Sequence, residues 1–212
     1  MKNVIQKFLL VAAVTLVGFA PSSFADSMVT VDGTYAFADN GYGIPPYGGT
    51  LDGQAASFYC VDFTHDIGAG NSWLAIVTPL TSSGTSTVPY LAGKTTDGVS
   101  DYLLFAWLIT QMTQTSSQST QAQDQWAIWS LTDGNYDPYG NQASIFSTAA
   151  AQLTAANFTG QGWEILTPDA SLNQYGQEFI VSTPEPSTVL LFGLGLAGLF
   201  LLKRREKLPT LS

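Results

Sequence analysis

Hydrophobic and polar positions divide the body of the chain into segments of two kinds. Apolar and polar residues alternate loosely through 28–35, and denser aromatic and β-branched runs cover 56–63 and 73–80. Alternation and β-branched runs of this length predict strands. The intervening stretch, 39–54, is rich in glycine and proline and therefore predicts a loop.

The second half of the chain predicts helices. Asp97 or Ser100 can cap a helix through 102–109, since both side chains accept hydrogen bonds from free backbone N–H groups. That helix is apolar on all sides, which indicates burial in a core, and it is too short to span a membrane. The Ser-, Thr- and Gln-rich stretch 110–123 predicts a frayed helix end and a link.

Further apolar segments predict two more helices and a return to strand. The helices cover 121–131 and 141–156, and the strands cover 163–166 and 178–181. Strands followed by helices and then by strands favour an α+β domain. We therefore expect an antiparallel β barrel or sandwich with a helical insert, accompanied by an N-terminal signal peptide and a single C-terminal transmembrane helix.

The N-terminus has the pattern of a secretory signal peptide. Lys2 and Lys7 supply a positive n-region, and 8–20 is a short apolar run. Ser23 and Ala25 then place small residues at the two positions that a signal peptidase reads. Residues 1–25 are therefore predicted to be removed by cleavage after Ala25.

Three features follow one another at the C-terminus: a proline–glutamate–proline triplet, a short apolar run and a basic cluster. They comprise Pro184, Glu185 and Pro186, then 188–202, then Lys203, Arg204 and Arg205. An apolar run followed by cations predicts a transmembrane segment, because the cations stay with the cytoplasmic headgroups. The run is shorter than the span of about 20 residues that crosses a bilayer, which suits a temporary anchor.

This order of features, over 183–212, resembles the PEP-CTERM sorting signal of exported proteins from Gram-negative bacteria that make exopolysaccharide. In such proteins the membrane peptidase exosortase is thought to cut near the triplet. The resemblance implies an inner-membrane intermediate with its head in the periplasm, and then a protein at the cell surface or in the extracellular matrix. The alternative is an ordinary C-terminal membrane anchor.

The remaining head, 26–182, is one domain by length and is acidic. The chain has 16 Asp and Glu against 7 Lys and Arg, and Lys94 is the only Lys or Arg of the head. Such a domain repels phosphate groups, so nucleic-acid binding is excluded. The acidity otherwise indicates either solubility or a cationic partner.

Cys60 is the only cysteine and His65 the only histidine. A lone cysteine cannot close a disulfide within its own chain, so the thiol is buried and inert, paired to another chain, or reactive. No cluster of zinc ligands is evident, and we expect neither a metal nor a cofactor. No convincing set of acid, base and nucleophile is evident either, so we do not expect a turnover enzyme.

Two short motifs carry the candidate chemistry. Phe-Tyr-Cys-Val-Asp, 58–62, lies on a predicted strand, and Gln-Trp-Ala-Ile-Trp, 125–129, lies on the second predicted helix. Helical spacing puts Gln125 on one face with Ile128 and Trp129, so its amide points toward the core. A buried amide is costly unless its polar atoms are satisfied, so some group must meet Gln125.

This strand and helix resemble the thioester domains of Gram-positive surface adhesins, in which a cysteine and a glutamine join with loss of ammonia. The resemblance implies that Cys60 supplies the sulfur and Gln125 the acyl carbon. Aromatic residues, Phe63 among them, would shield the bond from water. The candidate supporting residues are Tyr59, Asp62, His65, Trp126 and Trp129. The alternative is a buried cysteine beside an interior glutamine that hydrogen-bonds the backbone.

The leading expectation is a surface-sorted protein for adhesion or matrix attachment, in which the thioester acylates an amine on a partner. The alternative is a passive structural component of an exopolysaccharide or biofilm matrix. Under either function, the expected partners of the protein are signal peptidase, exosortase, the inner membrane and either exopolysaccharide or an amine-bearing surface. Methylamine separates the two functions, because a passive component takes up no label at Gln125.

Overall fold

The computed structural model describes residues 26–81, 89–133, 137–172 and 176–183. The strands in these ranges are β1 Asp26–Val31, β2 Phe37–Asp39, β3 Tyr42–Ile44, β4 Tyr47–Leu51, β5 Gln54–Cys60, β6 Ser72–Pro79, β7 Thr95–Thr96, β8 Val99–Ser100, β9 Trp163–Pro168 and β10 Phe179–Ser182. The α-helices are α1 Asp101–Gln114, α2 Gln118–Asp133 and α3 Gln142–Ala155, and a 3-10 turn covers Ala170–Leu172.

Six antiparallel strands close a barrel in the order β1-β4-β5-β10-β9-β6. Trp73 on β6 and Phe179 on β10 are not on neighbouring strands, so their stacked rings, 5.7 Å apart, meet across the barrel interior. Cys60 pairs with Phe179, and directly paired residues face the same side of a sheet. Cys60 therefore faces the interior. The expected antiparallel α+β architecture is confirmed, with the sheet closed as a barrel.

The three helices follow β6 and the small β7–β8 hairpin and precede β9, so they form an insert in the barrel sequence. Helix α1 packs against both α2 and α3. Leu104, Phe105 and Ile109 on α1 are fully buried. This agrees with the prediction of a core helix from its apolar residues on all sides.

The predicted loop at 39–54 is wrong. This stretch contains β3, β4 and the start of β5, and β4 is an interior strand of the barrel. Glycine here serves close packing, because a Cβ on Gly49 would clash with the Thr30 carbonyl oxygen and the Phe58 ring. The glycine-rich composition therefore marks a strand pressed against its neighbours.

The predicted frayed end and link at 110–123 are shortened to a link at 115–117. Helix α1 continues to Gln114 and α2 begins at Gln118. Nε2 of Gln121 donates to the carbonyl oxygens of Met112 and Thr115, at 3.0 and 2.8 Å, and so satisfies groups left free at the end of α1. The polar residues that suggested a link therefore include one that joins two helix ends.

The two predicted targeting segments lie outside the described residues. They comprise the cleavage position Ala25, the triplet Pro184, Glu185 and Pro186, the span 188–202, and the basic residues Lys203, Arg204 and Arg205. Within the described ranges, no helix is both long enough and apolar enough to cross a bilayer. The prediction of a transmembrane helix therefore remains a prediction.

Candidate functional site

Gln125 reaches from α2 to the end of β5. Its Nε2 donates a hydrogen bond of 2.8 Å to the backbone oxygen of Cys60, which lies 65 residues earlier in the chain. The exposed fractions of Gln125 and Cys60 are 0% and 1%. The packing of the helical insert on the barrel therefore brings together the two residues that the sequence motifs singled out.

The polar atoms of Gln125 are only partly satisfied. Its Oε1 is buried and has no hydrogen-bond partner among the described residues. A buried polar group without a partner costs about 1–3 kcal/mol. Such groups are rare in native folds, and each one calls for a structural or chemical reason.

The Cys60 thiol is held inside the protein in its protonated form. Its Sγ donates to the backbone oxygen of Asp62 at 3.0 Å. Burial raises the pKa of the thiol to about 12, while the nearby indole of Trp129 opposes that shift. The thiolate is the nucleophile in cysteine chemistry, so any reaction of Cys60 in the closed site must include removal of the thiol proton.

Asp62 organises the turn that follows β5. Its carboxylate accepts hydrogen bonds from the backbone N and the hydroxyl of Thr64, at 3.0 and 2.7 Å. The other carboxylate oxygen lies 2.6 Å from Nδ1 of His65. Asp62 is buried, whereas 47% of the His65 side chain is exposed. The Asp62–His65 contact therefore connects Asp62, which lies beside the Cys60 thiol, to the protein surface.

Four rings, which we call the aromatic cover, pack together next to Cys60 and Gln125. They are Tyr42, Phe63, Trp126 and Trp129. The two tryptophans meet edge to face at 4.9 Å, and Tyr42 lies 5.0 Å from Phe63. Tyr42 was missed because it lies in the stretch predicted as a loop.

Tyr59, a predicted supporting residue, is not part of the aromatic cover. Strand alternation turns its side chain to the face of β5 opposite to Cys60. There its ring packs near Trp163, at a centroid distance of 6.4 Å. The structure therefore places Asp62 and Trp129 next to Cys60, His65 against Asp62, Trp126 against Trp129, and Tyr59 behind the strand.

A cavity of about 430 Å³ opens at this end of the barrel, and we call it the barrel-end cavity. Tyr42, Tyr47, Phe63, His65 and Trp129 are among the residues that line it. The Trp129 ring is also the neighbour of the Cys60 thiol. One side chain thus belongs both to the wall of an open cavity and to the surroundings of the buried pair.

Glu178, which the sequence motifs did not reveal, is a second buried polar group close to β5. Its carboxylate accepts hydrogen bonds from the Tyr102 hydroxyl, the Thr167 hydroxyl and the Tyr90 backbone N–H. Burial raises the pKa of the carboxyl group to about 7, although these donors oppose the shift. A single acidic residue before an apolar strand carries no sequence signal of this role.

Comparison with known proteins identifies the C-terminal segment. Residues 182–205 match the PEP-CTERM protein-sorting motif, so the predicted sorting signal is confirmed. The motif indicates an exported protein that is anchored in a membrane before exosortase processes it. No curated protein and no solved structure matches the chain.

Proposed function

We propose that the head is a single-use covalent anchor that attaches this exported protein to a cell surface or extracellular matrix. The reactive group is an internal thioester between Sγ of Cys60 and Cδ of Gln125. The observation that carries the proposal is the 2.8 Å hydrogen bond that holds the buried Gln125 amide at Cys60. The likeness of both motifs to adhesin thioester domains supports the same assignment.

Formation of the thioester needs no reactant other than the Cys60 thiol and the Gln125 amide. The Cys60 sulfur adds to Cδ of Gln125, and the thiol proton is transferred to Nε2. The Cδ–Nε2 bond then breaks and ammonia leaves, so that an Sγ–Cδ bond replaces the amide. The amide is a poor electrophile, so closure depends on the high effective concentration that a rigid fold provides.

The surroundings of the pair favour retention of such a bond. Cys60 and Gln125 are almost completely buried. Three rings of the aromatic cover, Tyr42, Phe63 and Trp129, line the barrel-end cavity, and Trp129 also neighbours the Cys60 thiol. Exclusion of water protects a reactive acyl group from hydrolysis. The proposal also gives a chemical role to Oε1 of Gln125, which has no hydrogen-bond partner among the described residues. This atom becomes the acyl oxygen of the thioester.

Attachment occurs when a primary amine of a partner attacks Cδ of Gln125. A new amide bond forms, the Cδ–Sγ bond breaks, and the amine proton returns to the Cys60 sulfur. The head is then joined to its partner through Gln125 and cannot react again. This is why we propose an anchor and not a turnover enzyme.

The decisive experiment is an intact-mass measurement on the exported protein purified from cells that express the full chain. We expect a mass that is one ammonia below the value calculated for the processed sequence, and incubation with methylamine should replace the missing mass by one methylamine at Gln125. The Cys60→Ala variant should show the full calculated mass and take up no label. A full mass in the wild-type protein would overturn the thioester.

A second function is favoured by the exposed tyrosines. Tyr35, Tyr42, Tyr90 and Tyr139 expose 51%, 46%, 44% and 37% of their surface. Exposed aromatic rings offer apolar faces with a polar tip, which suits association with glycan in a passive matrix component. In that case the exported protein binds exopolysaccharide without taking up methylamine.

A further inference from the structure

We propose that the barrel-end cavity is a reversible docking site for a primary alkylammonium group. The docked amine is the one that attacks Gln125, so the inference rests on the proposed function in this respect. The ligand class, however, follows from the walls of the cavity and can be tested in a protein that has no thioester.

Aromatic rings form the walls of the cavity from its base to its mouth. Tyr42, Tyr47, Phe63 and Trp129 all line it. Trp129 is 3% exposed and Tyr42 is 46% exposed, so the rings extend from the interior to solvent. The faces of such rings attract ammonium groups, and their apolar surface accommodates an alkyl stem. The lining therefore suits a cation on an alkyl chain.

The charges around the cavity also select a cation. Asp66 and His65 line it, and the buried Asp62 carboxylate lies 2.6 Å from His65. Among the described residues of the lining, none is Lys or Arg. Lys94 is the only Lys or Arg in the whole stretch 26–183. An acidic domain with an acidic cavity attracts cations and repels anions.

The base of the cavity lies against the reacting pair. Trp129 follows Gln125 by one helical turn and approaches the Cys60 sulfur. Tyr47, a second lining residue, packs its ring 6.1 Å from that of Phe179, the residue that pairs with Cys60. Trp129 thus connects the cavity wall to the surroundings of the Cys60 sulfur.

Isothermal titration calorimetry on the exported Cys60→Ala protein tests docking without covalent capture. The probes are cadaverine and its neutral analogue pentane-1,5-diol, together with glucosamine and N-acetylglucosamine. We expect an amine to bind about tenfold more tightly than its neutral counterpart, since the ring faces and Asp66 act on the charge. Tighter binding of cadaverine indicates a lysine-like source, and tighter binding of glucosamine indicates an amino sugar.

Substitutions in the Cys60→Ala background assign the site. We expect Asp66→Asn to weaken cadaverine binding by up to about fivefold, and Tyr42→Leu by about threefold, while Tyr42→Phe retains the ring and the affinity. Asp26→Asn is the matched control, because Asp26 is an exposed carboxylate at the far end of β1. Circular dichroism verifies that each variant is folded.

Two results would overturn the docking site: no amine binding, or binding in which neither amine exceeds its neutral counterpart. The second result would identify an apolar or a glycan site. Methylamine incorporation by the wild type without cadaverine binding leaves the thioester intact and removes the docking site. Cadaverine binding by a protein of full calculated mass leaves the docking site intact and removes the thioester.

Discussion

Gln125 and Glu178 are both fully buried polar side chains near the end of β5, yet their polar atoms are satisfied to different degrees. Three donors meet the two carboxylate oxygens of Glu178. Gln125 makes one hydrogen bond, and its Oε1 has no partner within the described part of the chain. A satisfied network holds elements together, whereas an unsatisfied group costs stability and is retained for another reason. The comparison indicates an architectural role for Glu178 and supports the chemical role that we propose for Gln125.

The largest effect is expected from Gln125→Glu, which replaces the amide and its ammonia leaving group by a carboxyl group. We expect complete loss of methylamine labelling and a full calculated mass by mass spectrometry. Gln152→Glu, an exposed glutamine on α3, is the control and should retain both labelling and the mass deficit. Labelling that persists in Gln125→Glu would place the reactive acyl group elsewhere.

Glu178 should give the protein a pH-dependent stability. The carboxyl group ionises near 4.5 in its ordinary state and near 7 in the fold, so between these values the unfolded chain is the more ionised form. The contribution of Glu178 to the free energy of unfolding is therefore fully present below about pH 4.5, falls as the pH rises to about 7, and is lost above it. One pKa unit corresponds to about 1.4 kcal/mol, so the loss amounts to ~3 kcal/mol.

Urea unfolding at a series of pH values measures this dependence. Asp124 and Glu164 also have pKa values raised by burial and contribute in the same direction. The difference between the wild type and Glu178→Gln isolates the contribution of Glu178, because the amide does not titrate. Identical pH profiles for the two proteins would contradict the assignment.

Tyr102→Phe should break the Glu178 network from its other side. The Tyr102 hydroxyl donates to Glu178 and accepts from the backbone N–H of Leu91 at 3.0 Å, so its removal leaves two groups unpaired. We expect the free energy of unfolding to fall by about 2 kcal/mol. Tyr35→Phe, which removes a hydroxyl from an exposed ring, should change it little. Methylamine labelling of folded Tyr102→Phe should persist, since this network is architectural.

Asp39 should stabilise the aromatic cover. Its carboxylate accepts hydrogen bonds from Nε1 of Trp126 at 2.8 Å and from the Tyr139 hydroxyl at 2.9 Å, and so fastens the β2–β3 hairpin that carries Tyr42. We expect Asp39→Ala to lower the free energy of unfolding by about 1 kcal/mol and to speed hydrolysis of the thioester, seen as a gain of one water by mass spectrometry. Asp39→Asn keeps an acceptor and should largely restore both. An unchanged hydrolysis rate in Asp39→Ala would mean that the hairpin does not protect the bond.

Local patterns in the sequence predicted the elements whose residues repeat with a clear period. The strands around Phe58 and Trp73 and the buried helix around Leu104 appear where alternation and apolar runs placed them. The strand at Tyr47–Leu51 was missed, because its two glycines are a turn signal in isolation. Only the close approach of β1 shows why a strand there needs glycine.

The residues of the candidate site also fall into two groups: those that a local sequence pattern predicted and those that it did not. Helical spacing was enough to predict that Gln125 is buried, because the period of α2 is a local property. Tyr42 and Glu178 carry no local signal, since their roles depend on partners many residues away. The Tyr102–Glu178 hydrogen bond joins residues 76 apart in the chain, for example.

The sequence by itself determined the sorting address, because a sorting motif is read as consecutive residues and needs no fold around it. It also determined that Gln125 would be buried, since burial on one face follows from the periodicity of its helix. Only the tertiary structure decided that Cys60 and Gln125 would meet, that Trp129 would belong both to a cavity wall and to the surroundings of Cys60, and that Glu178 would be satisfied. These contacts arise from closing a barrel and packing an insert against it, and no local spacing encodes either event.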